Sequence, residues 1–457
     1  MLRRLRLPFA TVLLFPIFLR AQTSPEINRI LERLDHLEQQ NQQLLEEVRS
    51  LRAELSTARG ETPAPPAGAT AQAAPAAPAT VEQRLEIEEQ RTDELAQSKV
   101  EASQKFPIRL TGMALFNAFV NSNQNGGYEY PTIAYATGPA HDGASLRQTI
   151  LGLQYQGPQT FWGGHIQGSV YMDFVSGTGP LDQTMRFRTG SLEIDWATRS
   201  IMVGVEKPIF NPLEPSSLAQ VGVSPLTGAG NLWLWMPQVR FEQDVAFDAN
   251  TGVHARMGVV ETNEMAPYAG RGPVVTVEPA RPGLEGRFEF FHKFDDERRL
   301  AVSPGFHVST THAGGFSIPS HVFSLDWVYR PVRLLEFTGA YYRGQNVAPL
   351  GTGPVPEGFG MYYGRAEAIS SQGGWAQLTL HAARRVDIHL FTGEQDIDTE
   401  LLYNGAIGKN LEYGGNVYFR IAPNVLLGWE ASELRTSYLG QGARINNHYD
   451  LALGYLF

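Results

Sequence analysis

Charge placed on alternate positions is the chemistry this sequence carries. In Gln238-Val239-Arg240-Phe241-Glu242 the polar and apolar residues take opposite parities, and Leu284-Glu285-Gly286-Arg287-Phe288-Glu289-Phe290 repeats the pattern. Successive side chains of an extended chain point to opposite faces, so Arg240, Glu242 and Arg287 fall on polar faces. Such rows can brace a wall by ion pairing at least as readily as they can touch a solute. Arg186 and Arg188 differ, because they share parity with Leu192, Ile194 and Trp196. They reach the polar face only if Gly190 marks a bulge, and otherwise lie at a rim.

Catalysis finds less support. Cys is absent, which removes thiolate nucleophiles, thiolate metal sites and disulfides, and fits an oxidising compartment. Serine and 11 His leave a Ser/His/acid hydrolase open by composition. No G-x-S-x-G, H-E-x-x-H, Walker or G-x-G-x-x-G motif stands in a suitable strand or helix context, however. His381 and His389 read as polar residues of the lumen or interface, and no cofactor or metal is implied. A net charge of -10 over 457 residues argues against a nucleic-acid binder, which needs a basic face.

The elements that carry these charges are strands. From residue 106 onward the apolar period is two. Trp162, Gly164, Ile166, Gly168, Val170, Met172 and Phe174 oppose His165, Gln167, Ser169, Tyr171 and Asp173. Leu300 to Thr310 and Ser317 to Arg330 repeat the alternation. A soluble sandwich also alternates, but so many long strands with aromatics near their ends suit an outer-membrane barrel, apolar toward lipid and polar toward the lumen. Short turns at Arg330-Pro331 and Ala422-Pro423-Asn424 alternate with long Gly-rich stretches at 121–144, 262–282 and 344–360, which read as periplasmic turns and extracellular loops. The expectation is all-β: a transmembrane antiparallel barrel of about 16 strands over 106–457, wide enough for an aqueous lumen. Tyr449, Leu451, Leu453, Tyr455 and a terminal Phe457 alternate with polar or small residues. That ending resembles the signal read by the barrel-assembly machinery.

The first 105 residues read as four segments. Residues 1–21 form a signal peptide, with Arg3, Arg4 and Arg6 ahead of an apolar run broken by Pro8 and Pro16. Residues 22–59 form an α-helical coiled coil, with Ile27, Leu34, Asn41, Val48 and Leu55 at a and Ile30, Leu37, Leu44 and Leu51 at d. The run Arg33-Leu34-Asp35-His36-Leu37-Glu38 looks like an arginine–glutamate pattern of parallel trimers, whereas a single Asn41 at a often favours dimers; three strands are preferred. Residues 60–80 are a Pro/Ala-rich linker, and 81–105 a short periplasmic helix opened by Thr80 and Gln83.

Several segments resemble the trimeric porins of the DcaP-like group and the related phosphate-selective porins: SLRQTILGL (145–153), GGHIQGSVYMDF (163–174), MRFRTGSLEIDW (185–196), IMVGVEKPIFNP (201–212) and MPQVRF (236–241). The resemblance covers the first third of the barrel and the general architecture, including a coil ahead of the barrel. It implies a homotrimer in outer-membrane lipid, with the N-terminal region in the periplasm, passing small hydrophilic solutes. It also implies an inward-folded third loop, matched by Lys207 to Trp235, facing basic residues matched by Arg147, Arg186, Arg188 and Arg240. Glu193, Asp195, Glu206, Glu242 and Asp244 lie close by and depart from a strongly anion-selective pattern. The other class is a structural barrel whose coil spaces or tethers the envelope through peptidoglycan or periplasmic proteins. About 16 strands exceed what a mere anchor needs, since about 8 fill their own interior.

Overall fold

The computed structural model describes residues 107–179, 182–264, 276–362 and 365–457. The leader, coil, linker and helix expected over 1–105 lie outside the described residues. The strands run β1 Ile108–Asn121, β2 His141–Ser145, β3 Ile150–Gln159, β4 His165–Gly179, β5 Asp182–Trp196, β6 Arg199–Glu206 and β7 Met236–Ala246. They continue as β8 Thr251–Val260, β9 Val277–Pro279, β10 Gly283–Lys293, β11 Arg299–Ala313, β12 Phe316–Val332 and β13 Leu335–Gln345. After β14 Phe359–Tyr362 and β15 Arg365–Ala368 come β16 Ser370–Ala383, β17 Val386–Ile397, β18 Ile407–Ala422, β19 Val425–Tyr438 and β20 Gly442–Leu456.

All but β14 and β15, which pair as a separate hairpin, belong to one antiparallel sheet of 18 segments. β1 pairs with both β2 and β3, and β11 with both β9 and β10, so each of those pairs makes one interrupted wall strand. Sixteen wall strands result. The ladder from Met113↔Leu456 to Asn121↔His448 joins the first strand to the last and closes the barrel. Closure leaves no wall strand with an unpaired edge, the condition for strands to cross hydrocarbon.

Outward positions carry the apolar residues. Val239, Phe241, Leu284, Phe290, Phe323, Leu390, Trp429, Leu451 and Leu453 are all exposed on the outer surface of the chain. Inward positions carry Asn117, Gln238, Glu285, Asp326, Gln377, Asn416 and Glu430, all buried. The two-residue period of the sequence is therefore the two-sidedness of this wall. Local boundaries move slightly from the sequence reading. Trp162 sits in a one-turn 3-10 segment ahead of β4, with a left-handed φ of 55°, rather than in the strand. The Arg330-Pro331 pair lies inside β12, and the turn follows at 333–334.

One end of the barrel has short turns, at 197–198, 333–334, 384–385 and 423–424. The other holds the long connections, here L1 (122–140), L3 (207–235) and L6 (346–369). These three supply much of the buried apolar interior. Phe210 and Leu232 of L3 pack with Val347 and Leu350 of L6 against Val322 and Tyr342 of the wall. Ile133 of L1 packs with Val355 and Ile369 of L6 against Ile397 and Ile407. Each such side chain, fully buried, is worth about 1.5–3 kcal/mol, enough to hold a loop inside the barrel.

Candidate functional site: the loop-lined lumen

L3 leaves the wall after Glu206 and re-enters at Met236, the stretch Lys207 to Trp235 that the resemblance matched to a third loop. Its polar contacts follow the order of the wall. The Ile209 amide donates to Glu285 Oε2 of β10 at 2.7 Å, and Ser324 Oγ of β12 donates to Phe210 O at 3.0 Å. The Ser216 amide donates to Gln377 Oε1 of β16 at 2.7 Å, and Ser216 O accepts from Asn416 Nδ2 of β18 at 2.7 Å. Ser217 Oγ donates to Glu430 Oε2 of β19 at 2.7 Å, and Leu218 O accepts from Asn117 Nδ2 of β1 at 2.8 Å. Gln148 then receives the Val221 and Gly222 amides on Oε1 and donates Nε2 to Ala219 O. The loop thus runs round the inner wall past the closure seam.

The outbound lap ends at two arginines. Arg188 Nη1 donates to Val221 O at 2.8 Å, and Arg186 Nη2 donates to Gly222 O. Both share one carboxylate, Asp173, which is 0% exposed. Arg186 Nη2 and Arg188 Nη1 each reach Asp173 Oδ2 at 2.7 Å, and Arg186 Nε reaches Oδ1 at 3.1 Å. Both guanidinium groups also lie over the Trp235 ring, 5.3 and 4.6 Å from its centre. They can share a face because the β4–β5 register slips: Tyr171 pairs with Thr189 and Met172 with Phe187. The extra residue is Arg188 itself, so the bulge falls there and not at Gly190. Phe187 and Met185 turn outward below it, while Leu192 is outward above.

The other expected site residues are placed as follows. Lys207 pairs with Glu214 inside L3 at 2.5 Å. Arg240 and Arg256 both face Glu242, at 2.6 and 3.0 Å. Arg287 forms a two-bond pair with Asp326, each bond 2.7 Å, and meets Glu289 at 2.8 Å; it is 1% exposed. Arg147 lines a cavity of about 700 Å³ between L1, L3 and the wall, with Glu129, Tyr130, Gln148 and Gln220. Tyr449, Leu451, Leu453 and Tyr455 point outward along β20, and the Phe457 backbone pairs with Gly112 at 3.0 and 3.1 Å.

The anchors Asn117, Gln148, Asp173, Asn416 and Glu430 escaped the sequence reading. Their signal was an inward-parity amide or carboxylate, which any polar lumen also shows. L6 adds one more. Glu357 is fully buried, accepting the Tyr342 hydroxyl at 3.1 Å and the Gln395 amide, and has no ion-pair partner among the described residues. Burial pushes its carboxyl up to about 8. A group held above its ordinary value stabilises the folded state fully below the ordinary carboxylate range, and that contribution is lost as pH rises through about 8. The melting midpoint should therefore fall between pH 6.5 and pH 9.5 in the wild type and fall less in Glu357→Gln. Equal slopes in calorimetry would contradict this.

No family model matches this chain, and no curated protein matches it. Solved structures do. The outer membrane channel DcaP of Acinetobacter baumannii superposes with a TM-score of 0.66 at 13% identity, over 77% of this chain and 97% of that one. An anion-selective porin from Comamonas acidovorans superposes at 0.51 with 11% identity, over 77% and 99%. At such identities the likeness is one of fold.

Proposed function

We propose that the chain is an outer-membrane porin, a homotrimeric channel for passive diffusion of small hydrophilic solutes, anionic ones included. The observation that carries the reading is the L3 path: an inward loop following the polar inner wall of a closed 16-strand barrel whose outer surface is apolar. Barrels of this size leave an aqueous interior, and a loop pinned to the wall narrows such an interior without any moving part. The short-turn end then faces the periplasm, together with the N-terminal region. Charged wall residues replace part of a solute's hydration and bias the sign of the ions that pass. The likeness in fold to an outer membrane channel and to an anion-selective porin supports this reading.

Purified protein in planar bilayers should insert with stepwise conductance, in threes for a trimer. In a salt gradient the reversal potential should show a weak anion preference, because Glu129, Asp173 and Glu242 each offset an arginine. Silence from correctly folded samples would sink the channel and leave a structural barrel. A clear cation preference would show the carboxylates prevailing.

A further inference from the structure

Arg147 stands in the break between β2 and β3, where residues 146–149 interrupt one wall strand. Its Nη2 donates to Val175 O at 2.5 Å and to Gly177 O at 3.2 Å. Its Nε is buried and has no hydrogen-bond partner among the described residues. Among the described residues the carboxylate on the group is Glu129, which comes from L1 and not from the wall. Its Oε1 lies 3.3 Å from Nη1, and its Oε2 accepts from Ser145 Oγ, also at 3.3 Å. Charge-assisted bonds are ordinarily about 2.7–2.9 Å. The pairs Arg186–Asp173, Lys207–Glu214, Arg240–Glu242 and Arg287–Asp326 each have a contact of 2.7 Å or less, so Glu129–Arg147 is slack beside them. Both side chains keep some exposure, 17% and 15%, and both line the 700 Å³ cavity.

We infer that Glu129 is a specificity-determining residue: a counter-ion on L1 that covers the Arg147 guanidinium face an anionic group, carboxylate or phosphate, would otherwise take. The inference rests on the channel reading and adds the residue that sets how tightly anions are held inside. Val175 O and Gly177 O occupy Nη2, so Nη1, the nitrogen that Glu129 meets, is the donor left for an anion. An anion arriving there exchanges with Glu129, so passage stays weakly selective and fast, whereas a bare Arg147 would hold anions longer.

The test is block of chloride current by inorganic phosphate in single channels. Wild-type current, recorded first, tests the channel reading by itself. Given that current, Glu129→Gln should tighten phosphate block about threefold, the scale of one partly exposed ion pair. Arg147→Gln should abolish the block, and the double variant should behave like Arg147→Gln. Glu129→Asp, which keeps the charge and shortens the reach, should tighten block by less than Glu129→Gln and serves if the latter folds poorly. Unchanged block in both Glu129 variants would overturn the inference. So would tightening that persists without Arg147, because Glu129 would then act as a general negative charge and not as the partner of that guanidinium.

Discussion

Replacing Asp173 by Asn should cost about 3 kcal/mol, because breaking a buried ion pair by removing one partner leaves uncompensated charge. Here two guanidinium groups lose their common carboxylate at once. Arg186 and Arg188 would remain side by side over Trp235, with the Val221 and Gly222 carbonyls and one neutral amide oxygen at 173 as acceptors. The isosteric change keeps the volume, so cavity formation does not confuse the result. Denaturant unfolding in detergent should show the loss, and current traces should be noisier as L3 slackens. Removing all three charges together, as Asp173→Asn with Arg186→Gln and Arg188→Gln, should recover much of the stability, since a buried charged set replaced whole is often nearly neutral. A stable, quiet Asp173→Asn channel would mean that neutral oxygen acceptors suffice to hold the arginines.

Gly230→Val should dislodge the returning limb of L3. Gly230 has a left-handed φ of 96°, and a Cβ there would lie 2.4 Å from Gly374 O and 2.5 Å from its amide nitrogen. That approach is backbone on backbone, so no side chain can rotate away. It is also what lets the Gly230 amide reach Gln395 Oε1 at 3.1 Å. The φ strain alone costs about 1–3 kcal/mol, and the clash adds to it. A loop that cannot seat must leave the wall, so conductance should change severalfold and added protease should cut within 207–235. Wild-type conductance with an intact loop would show that the wall yields at Gly374 instead.

How much of this was legible beforehand varies with the range of the interaction. Strand parity at Val239-Arg240-Phe241 and at Leu284 to Phe290 depends only on the alternation of an extended chain, and the structure keeps it in both places. The limits of L3 came from the resemblance to the trimeric porins, which matched Lys207 to Trp235. The site was less legible. A polar side chain on an inward position looks the same in sequence whether it meets water, a neighbouring strand or a loop. Asn117, Gln148 and Glu430 are L3 anchors only because residues 101, 71 and 213 positions away arrive beside them.

The two-faced wall, the approximate strand count and the closed all-β class were legible in the chain, because each follows from local periodicity and from where it breaks. The path of L3 inside the barrel was decided by tertiary structure alone. So were the bulge at Arg188 and the choice of carboxylate for each arginine: Asp173 for Arg186 and Arg188, Asp326 for Arg287, and Glu129 of L1 for Arg147. The reason is geometric. Pairing strength is set over a few tenths of an ångström, and that precision arises only when the curvature of the closed sheet and the packing of three loops fix where each side chain stops.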